Sequence, residues 1–326
     1  MASNLVSKWL ERARKRRRRD TLVQRHMVDL AERALFLQGQ MAAKAIRSDD
    51  QLDCLADAEF RVFSQWGEDG IIEWLVRQTD IPAKRFIEFG VETFKEANCR
   101  FLLENRNWKG LVLDGSQANM NAMRSEPFYW KHDLTGHPAF VTAENINDLI
   151  TSAGFAAPLG ILSVDIDGND YWVWQAITCV KPAIVICEVN PVLGDLHPIT
   201  VPYDPAFWRF DKHESGVYFG ASIAALRFLA EKKGYRFVGT GISGINAFFV
   251  RDDLAAPVLS KLKNVVAHPP RHRDSRGADG RLTYAGGMAR VELIADLPVV
   301  NVVTQEQKPL RDFGQLYSPD WESAIV

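Results

Sequence analysis

From about residue 60 the chain alternates short, nearly unbroken apolar runs with stretches where apolar residues recur every three or four positions. The runs read as strands buried on both faces and the periodic stretches as amphipathic helices. Together they predict a mainly parallel sheet with helices on both sides. Strands are expected over 85–89, 110–113, 139–142, 160–164 and 183–187. A closing pair over 235–239 and 246–251 is close enough to form a hairpin through Gly241-Ile242-Ser243-Gly244. Helices are expected over 68–79, 94–105, from Asn145 onward, over 171–177 and over 221–233. Ile71, Ile72, Leu75 and Val76 form the buried stripe of the first of these. Residues 1–50 read as helix broken by charge, with Val23, Met27, Leu30, Ala34 and Leu37 at helical spacing, available to the body or to a partner. No internal repeat is visible.

The 326 residues suit one large α/β domain with extensions. We divide them into a basic, largely helical extension (1–55), a core domain (56–265) and a loop-rich tail (266–326), whose Pro, Gly and Arg content rises over 267–281. Charge is unevenly spread. Between Lys8 and Arg25 nine basic residues stand against two acidic ones, so a net charge of −2 for the chain leaves −9 on the remainder. So acidic a body is a poor match for a polyphosphate track, which argues against general nucleic-acid binding by the core. The basic segment, with Leu5, Trp9 and Leu10, has the composition to meet an anionic membrane surface, or to be a solvated extension. Cys54, Cys99, Cys179 and Cys187 lack metal or disulfide spacing and read as small hydrophobes. With no apolar run of membrane-spanning length and no signal-peptide core, the expected location is cytoplasmic, or peripheral at a membrane.

In open α/β sheets, ligands bind beyond the carboxyl ends of the strands. Glu88, Asp114, Asp165, Asp167, Glu188 and Asn190 cluster there in the predicted pattern, and Gly90 bends the chain just after the first. An acid ending the second strand can accept ribose hydroxyls, the logic of dinucleotide and S-adenosylmethionine sites alike.

Phe63-Ser64-Gln65-Trp66-Gly67-Glu68-Asp69 and Phe86-Ile87-Glu88-Phe89-Gly90-Val91-Glu92 resemble the opening of FkbM-type class I S-adenosylmethionine-dependent methyltransferases. Trp108-Lys109-Gly110-Leu111-Val112-Leu113-Asp114-Gly115-Ser116 is similar to that family's second-strand signature, and Leu162-Ser163-Val164-Asp165-Ile166-Asp167-Gly168-Asn169-Asp170 to its fourth-strand segment. The resemblance spans residues 60–250 and rests on the order and spacing of these motifs. It implies a Rossmann-like sheet of seven strands, the last antiparallel. It also implies S-adenosyl-L-methionine as cofactor: Glu88 and Gly90 bordering its methionine end with Gln65 and Asn98, Asp114 on the ribose hydroxyls, Gly115 and Ser116 beneath. The glycine-rich first loop is reduced to Gly90, with Val91 and Glu92 where further glycines are expected.

Residues two apart on a strand face the same way. Asp165 with Asp167, and Glu188 with Asn190, therefore make an oxygen-donor set suited to Mg²⁺, or alternatively plain turn chemistry. Asp165, Asp167, His197 and His213 are the candidate bases. The expected activity is O-methylation of a sugar or other small-molecule hydroxyl, the acceptor entering between the loop over 191–215 and the tail, against Tyr203, Trp208 and Phe210. Two rivals stand beside it. One is a metal-dependent glycosyltransferase using Asp165-Ile166-Asp167 as a D-x-D motif. The other is a non-catalytic binding or docking protein on the same fold. An oligomer is compatible with either.

Overall fold

The computed structural model describes residues 2–46, 51–271 and 273–325. Side chains before Val23, and that of Arg25, lie outside the description, and with them the expected surface contacts of Leu5, Trp9, Leu10 and the basic run. The chain divides into two compact units, Met1–Ile46 and Arg47–Val326.

The first unit is one continuous helix, Ala2–Ala45, rather than a helix broken by charge. Arginine and lysine are strong helix formers and no proline intervenes, so like charge alone does not interrupt it. Val23, Met27, Leu30 and Leu37 are exposed on it.

The second unit is built on a seven-stranded sheet. Its strands are β1 (Arg85–Phe89), β2 (Lys109–Asp114), β3 (Leu134–Pro138), β4 (Ile161–Val164), β5 (Ile184–Glu188), β7 (Tyr235–Thr240) and β8 (Asn246–Arg251). Their order is β3-β2-β1-β4-β5-β8-β7. β1 to β5 run parallel, and β8, the last, lies antiparallel between β5 and β7. The expected α/β class, hairpin included, is the observed one. Phe89, Leu113, Val164, Val185 and Phe249 anchor the core on one face with Trp174 and Tyr235, all at or near complete burial. A second, three-stranded sheet joins β6 (Ile199–Thr200) to β9 (Pro298–Asn301) and β10 (Gln307–Pro309). Residues 266–326 thus contribute two strands as well as the helices Gly287–Ile294 and Pro319–Ala324.

Two elements differ from expectation. The third strand is 134–138, not 139–142. It lies at the sheet edge and carries Gly136, whose missing side chain is filled by Met123: a Cβ there would lie 2.2 Å from its methyl carbon. A strand with so little apolar content of its own is invisible to a search for apolar runs. The helix expected over 94–105 begins at Arg100. Glu92 and Phe94 adopt φ of +47° and +59°, and Glu88 captures the N–H groups of Asn98 and Cys99, so the preceding loop is irregular.

Candidate active site at the carboxyl edge of the sheet

The chain leaves β1 towards β2 and β3 on one side, and β4 and β5 lie on the other. That reversal opens a crevice at the carboxyl ends of β1 and β4. Two cavities occupy it, of about 580 Å³ and 540 Å³, and both are lined by Gly90, Glu92, Asp165, Asp167 and Arg209.

The larger cavity reaches Asp114, Gly115 and Ser116 at the end of β2, with Phe140, Phe207, Trp208 and Phe210 as aromatic lining. Asp114 is largely committed to its own loops. Its Oδ1 accepts from Ser116 N (2.8 Å) and Asn119 Nδ2 (3.1 Å), and its Oδ2 from Glu92 N (2.8 Å). A carboxylate has about four lone-pair sites. One therefore remains, enough for a single hydroxyl rather than the expected pair. Ser116 caps the helix Gln117–Arg124 through Asn119 N. Trp208 and Phe210, expected beside an acceptor, belong to this cavity, whereas the Tyr203 hydroxyl donates to Glu144 at 2.5 Å.

The smaller cavity is lined by Gln65, Glu88, Asn98, Glu188, Asn246 and Arg273 among others. Glu88 is buried, and desolvation raises its pKa to about 7 against the pull of the Cys99 and Asn98 N–H groups. Asn98 is drawn in by its own N–H and donates from Nδ2 to Ser163 Oγ (3.1 Å). Gly90, at φ +71°, makes room for the chain rather than for a ligand: a Cβ would lie 1.7 Å from the Asp165 carbonyl oxygen. That contact locks the β1 turn onto the β4 turn.

The acid cluster differs from the expected one. Asp165, Asp170 and Glu188 offer carboxylate oxygens within 4.8 Å of one another. Asp167 and Asn190 are not part of that set. Asp167 lies beyond the end of β4 at φ +56°, so strand alternation no longer governs it, and it is exposed and ion-paired to Arg209. Asn190 is completely buried and lines neither cavity; its Nδ2 donates to Val217 and Phe219 carbonyls and its Oδ1 accepts from Val192 N, so the side chain is committed to the surrounding loops. Asp170 accepts from Ile166 N and Gly168 N, and desolvation raises its pKa to about 6. Burial, then the charges of neighbouring acids, raise both Asp165 and Glu188 above the ordinary carboxylate range, and the two carboxyls adjoin. Like charges this close disfavour ionisation of both carboxyls at once. As three hard oxygen donors, Asp165, Asp170 and Glu188 are the residues that could hold Mg²⁺.

Neither candidate histidine lines either cavity. His197 Nε2 meets the Gln315 carbonyl at 2.9 Å and its ring lies against Phe313, while His213 Nδ1 meets Ser215 Oγ at 2.7 Å. Both hold loops together. Four residues not anticipated do belong to the site: Asn169, Asp170, Arg209 and Asn246. Asp170 follows Gly168-Asn169 at a helix start, a signal that was available. Arg209 and Asn246 carry no local pattern.

No protein-family profile matches the chain, and no curated protein matches it. Solved structures do show likeness. An S-adenosylmethionine-dependent methyltransferase from Clostridium acetobutylicum is 12% identical with a TM-score of 0.35, over 56% of this chain and 90% of that one. The plantazolicin methyltransferase BamL, in complex with a triazolic desmethylPZN analog and SAH, is 9% identical with a TM-score of 0.34, over 52% and 77%. The N-terminal domain of EvdMO1 with SAH bound is 11% identical with a TM-score of 0.32, over 52% and 73%. Similarities this slight carry no function across to this chain.

Proposed function

We propose that this protein transfers a methyl group from S-adenosyl-L-methionine to a hydroxyl of a sugar or another small molecule. The observation that carries the reading is the pair of adjoining cavities at the β1/β4 crevice with the Asp165–Glu188 carboxyl pair lining the smaller one. The residues fit the cofactor. The larger cavity combines aromatic lining for a purine with the remaining acceptor of Asp114 for a ribose hydroxyl. Gln65 and Asn98 supply polar groups for an amino-acid end in the smaller one. When bound, the cofactor supplies an electrophilic sulfonium methyl.

The chain's own residues do the rest. The acceptor hydroxyl must be held in line with that methyl and lose a proton, so positioning and general-base catalysis account for the protein's part. Burial and the neighbouring acids raise the proton affinity of Asp165 and Glu188, so whichever of them is ionised is a stronger base than a free carboxylate, suited to a hydroxyl. The D-x-D alternative is weakened by Asp167, whose carboxylate is engaged by Arg209.

The test is methyl transfer from methyl-labelled S-adenosyl-L-methionine to a panel of sugars and phenols, read by mass spectrometry. Product of methylated mass is expected from at least one hydroxyl compound, and Asp165→Asn should lower its kcat at least about 100-fold while S-adenosylhomocysteine affinity holds. Stabilisation by nucleotide sugars, with none by S-adenosyl-L-methionine, would favour the glycosyltransferase instead.

A further inference from the structure

The helix Ala2–Ala45 makes up nearly all of the first compact unit. A single helix has no interior, so an apolar stripe on it must be covered from outside. Val23, Met27, Leu30, Ala34, Leu37 and Met41 are spaced by four and three residues in strict alternation. That is the heptad repeat of a coiled coil, with Met27, Ala34 and Met41 at a and Val23, Leu30 and Leu37 at d. All six are exposed, the five larger ones over 46–64% of their surface. The stripe is narrow. Gln24, Ala31 and Gln38 flank it on one side and His26, Arg33 and Gln40 on the other, and Arg33 is ion-paired to Asp29 of its own helix at 2.9 Å. Val28 and Leu35 lie off the seam. A membrane surface takes a broad apolar face, whereas a stripe confined to a and d fits the seam between two helices.

The spacing is also self-complementary. About a two-fold axis beside residue 32, an antiparallel second helix sets Val23 opposite Met41, Met27 opposite Leu37 and Leu30 opposite Ala34, with an a residue facing a d residue in every layer. Covering the five larger side chains on both helices, at roughly 60–100 Å² each, together with their polar flanks removes on the order of 1,000 Å² from water. That reaches the size of a specific interface. Charge decides the direction. The run from Lys8 to Arg25 carries nine basic residues against two acidic ones. A parallel pair would lay two such runs side by side, while an antiparallel pair sends them to opposite ends. We propose that the chain forms a homodimer through an antiparallel coiled coil of residues 23–41, anchored by Leu30 and Leu37. The dimer does not depend on the methyltransferase reading.

Sedimentation equilibrium of the full chain at micromolar concentration tests this. The expected mass is that of two chains. Leu30→Glu with Leu37→Glu keeps a strong helix former at both exposed positions, so the double variant should retain its far-ultraviolet circular dichroism. Its dissociation constant should nevertheless rise at least about 100-fold, because pairing would bury carboxylates in the seam. Direction is read by mixing Val23→Cys and Met41→Cys chains under oxidised glutathione, with the unsubstituted chain as control. The mixture should give a disulfide-linked dimer, and neither variant alone should. A monomeric wild-type chain overturns the proposal, and vesicle binding by that monomer, lost in the double variant, would assign the stripe to a membrane instead. A dimer that the double variant leaves intact also overturns it. So does a mixture that gives no cross-link, or cross-linking within each single variant alone.

Discussion

Glu88 offers the sharpest test of the site's electrostatics. It is fully buried and accepts from Asn98 N at 2.7 Å and Cys99 N at 3.0 Å, yet desolvation raises its pKa from 4.5 to about 7. At about 1.4 kcal/mol per tenfold change in proton affinity, that rise corresponds to on the order of 3 kcal/mol. The sign follows from where the proton is preferred. The folded protein binds it more tightly than the unfolded chain, so the contribution is fully present below pH 4.5 and is lost as pH rises through about 7. Glu88→Gln removes the titration but leaves one of the two loop N–H groups facing an amide N–H₂. That mismatch costs about 1–3 kcal/mol. In urea unfolding at pH 5 the variant should therefore be the less stable protein by that amount. At pH 8 the difference should shift in the variant's favour by on the order of 3 kcal/mol, which brings it level with or above wild type. A stability difference that stays constant from pH 5 to pH 8 would refute the account of Glu88 as an acid held neutral by burial.

Gly90→Ala should lower stability by about 3 kcal/mol or more, seen as a large drop in melting temperature, because the new Cβ meets the Asp165 carbonyl at a left-handed backbone position. Asp114→Ala should weaken S-adenosylhomocysteine binding by about 1.5–3 kcal/mol in calorimetry, and unchanged affinity would remove Asp114 from the ribose site. EDTA should lower the melting temperature and Mg²⁺ restore it if Asp165, Asp170 and Glu188 hold a cation, a response that Asp170→Asn should blunt and Asp167→Asn should not. Deleting residues 1–20 should reduce binding to anionic vesicles, at about 1 kcal/mol per basic residue near the surface, without changing cofactor affinity; equal vesicle binding would leave the segment a solvated extension.

Much of the architecture was legible because its central strands are buried on both faces. Ile87, Leu111, Leu162 and Val185 lie in runs that admit few other readings. The edge strand was not, since Thr135, Gly136 and His137 owe their place to β2 and to Met123 rather than to their own apolarity. The site divides along the same line. Positions fixed by a strand's end were found: Glu88, Asp114 and Glu188 all sit in the crevice. Positions that depend on distant partners were missed. Arg209 reaches the site from a four-residue helix, joined to Asp167 and Asp274, and Asn246 comes from β8, opposite Glu188 in the register. No local spacing encodes either.

The fate of the acids after β4 shows why residue type alone misjudged the cluster. Asp165, Asp167 and Asp170 lie within six positions, and alternation along an extended strand would align the first two. The strand ends at Val164, however, and the backbone turns left-handed at Asp167. The turn carries Asp167 outward to Arg209 and brings Asp170 inward, where it binds the N–H groups of Ile166 and Gly168 and so braces the same turn. Gly168 permits the fold, since a Cβ there would lie 2.2 Å from the Phe207 ring. Asp170 is therefore both scaffold and charge. It holds the turn that places Asp165 beside Glu188, and its own charge pushes both carboxyls towards the protonated form. Removing that charge with Asp170→Asn would loosen the turn and lower the two pKa values together, so one side chain contributes both to the shape of the loop and, after burial and the charge of Asp167, to the strength of the base.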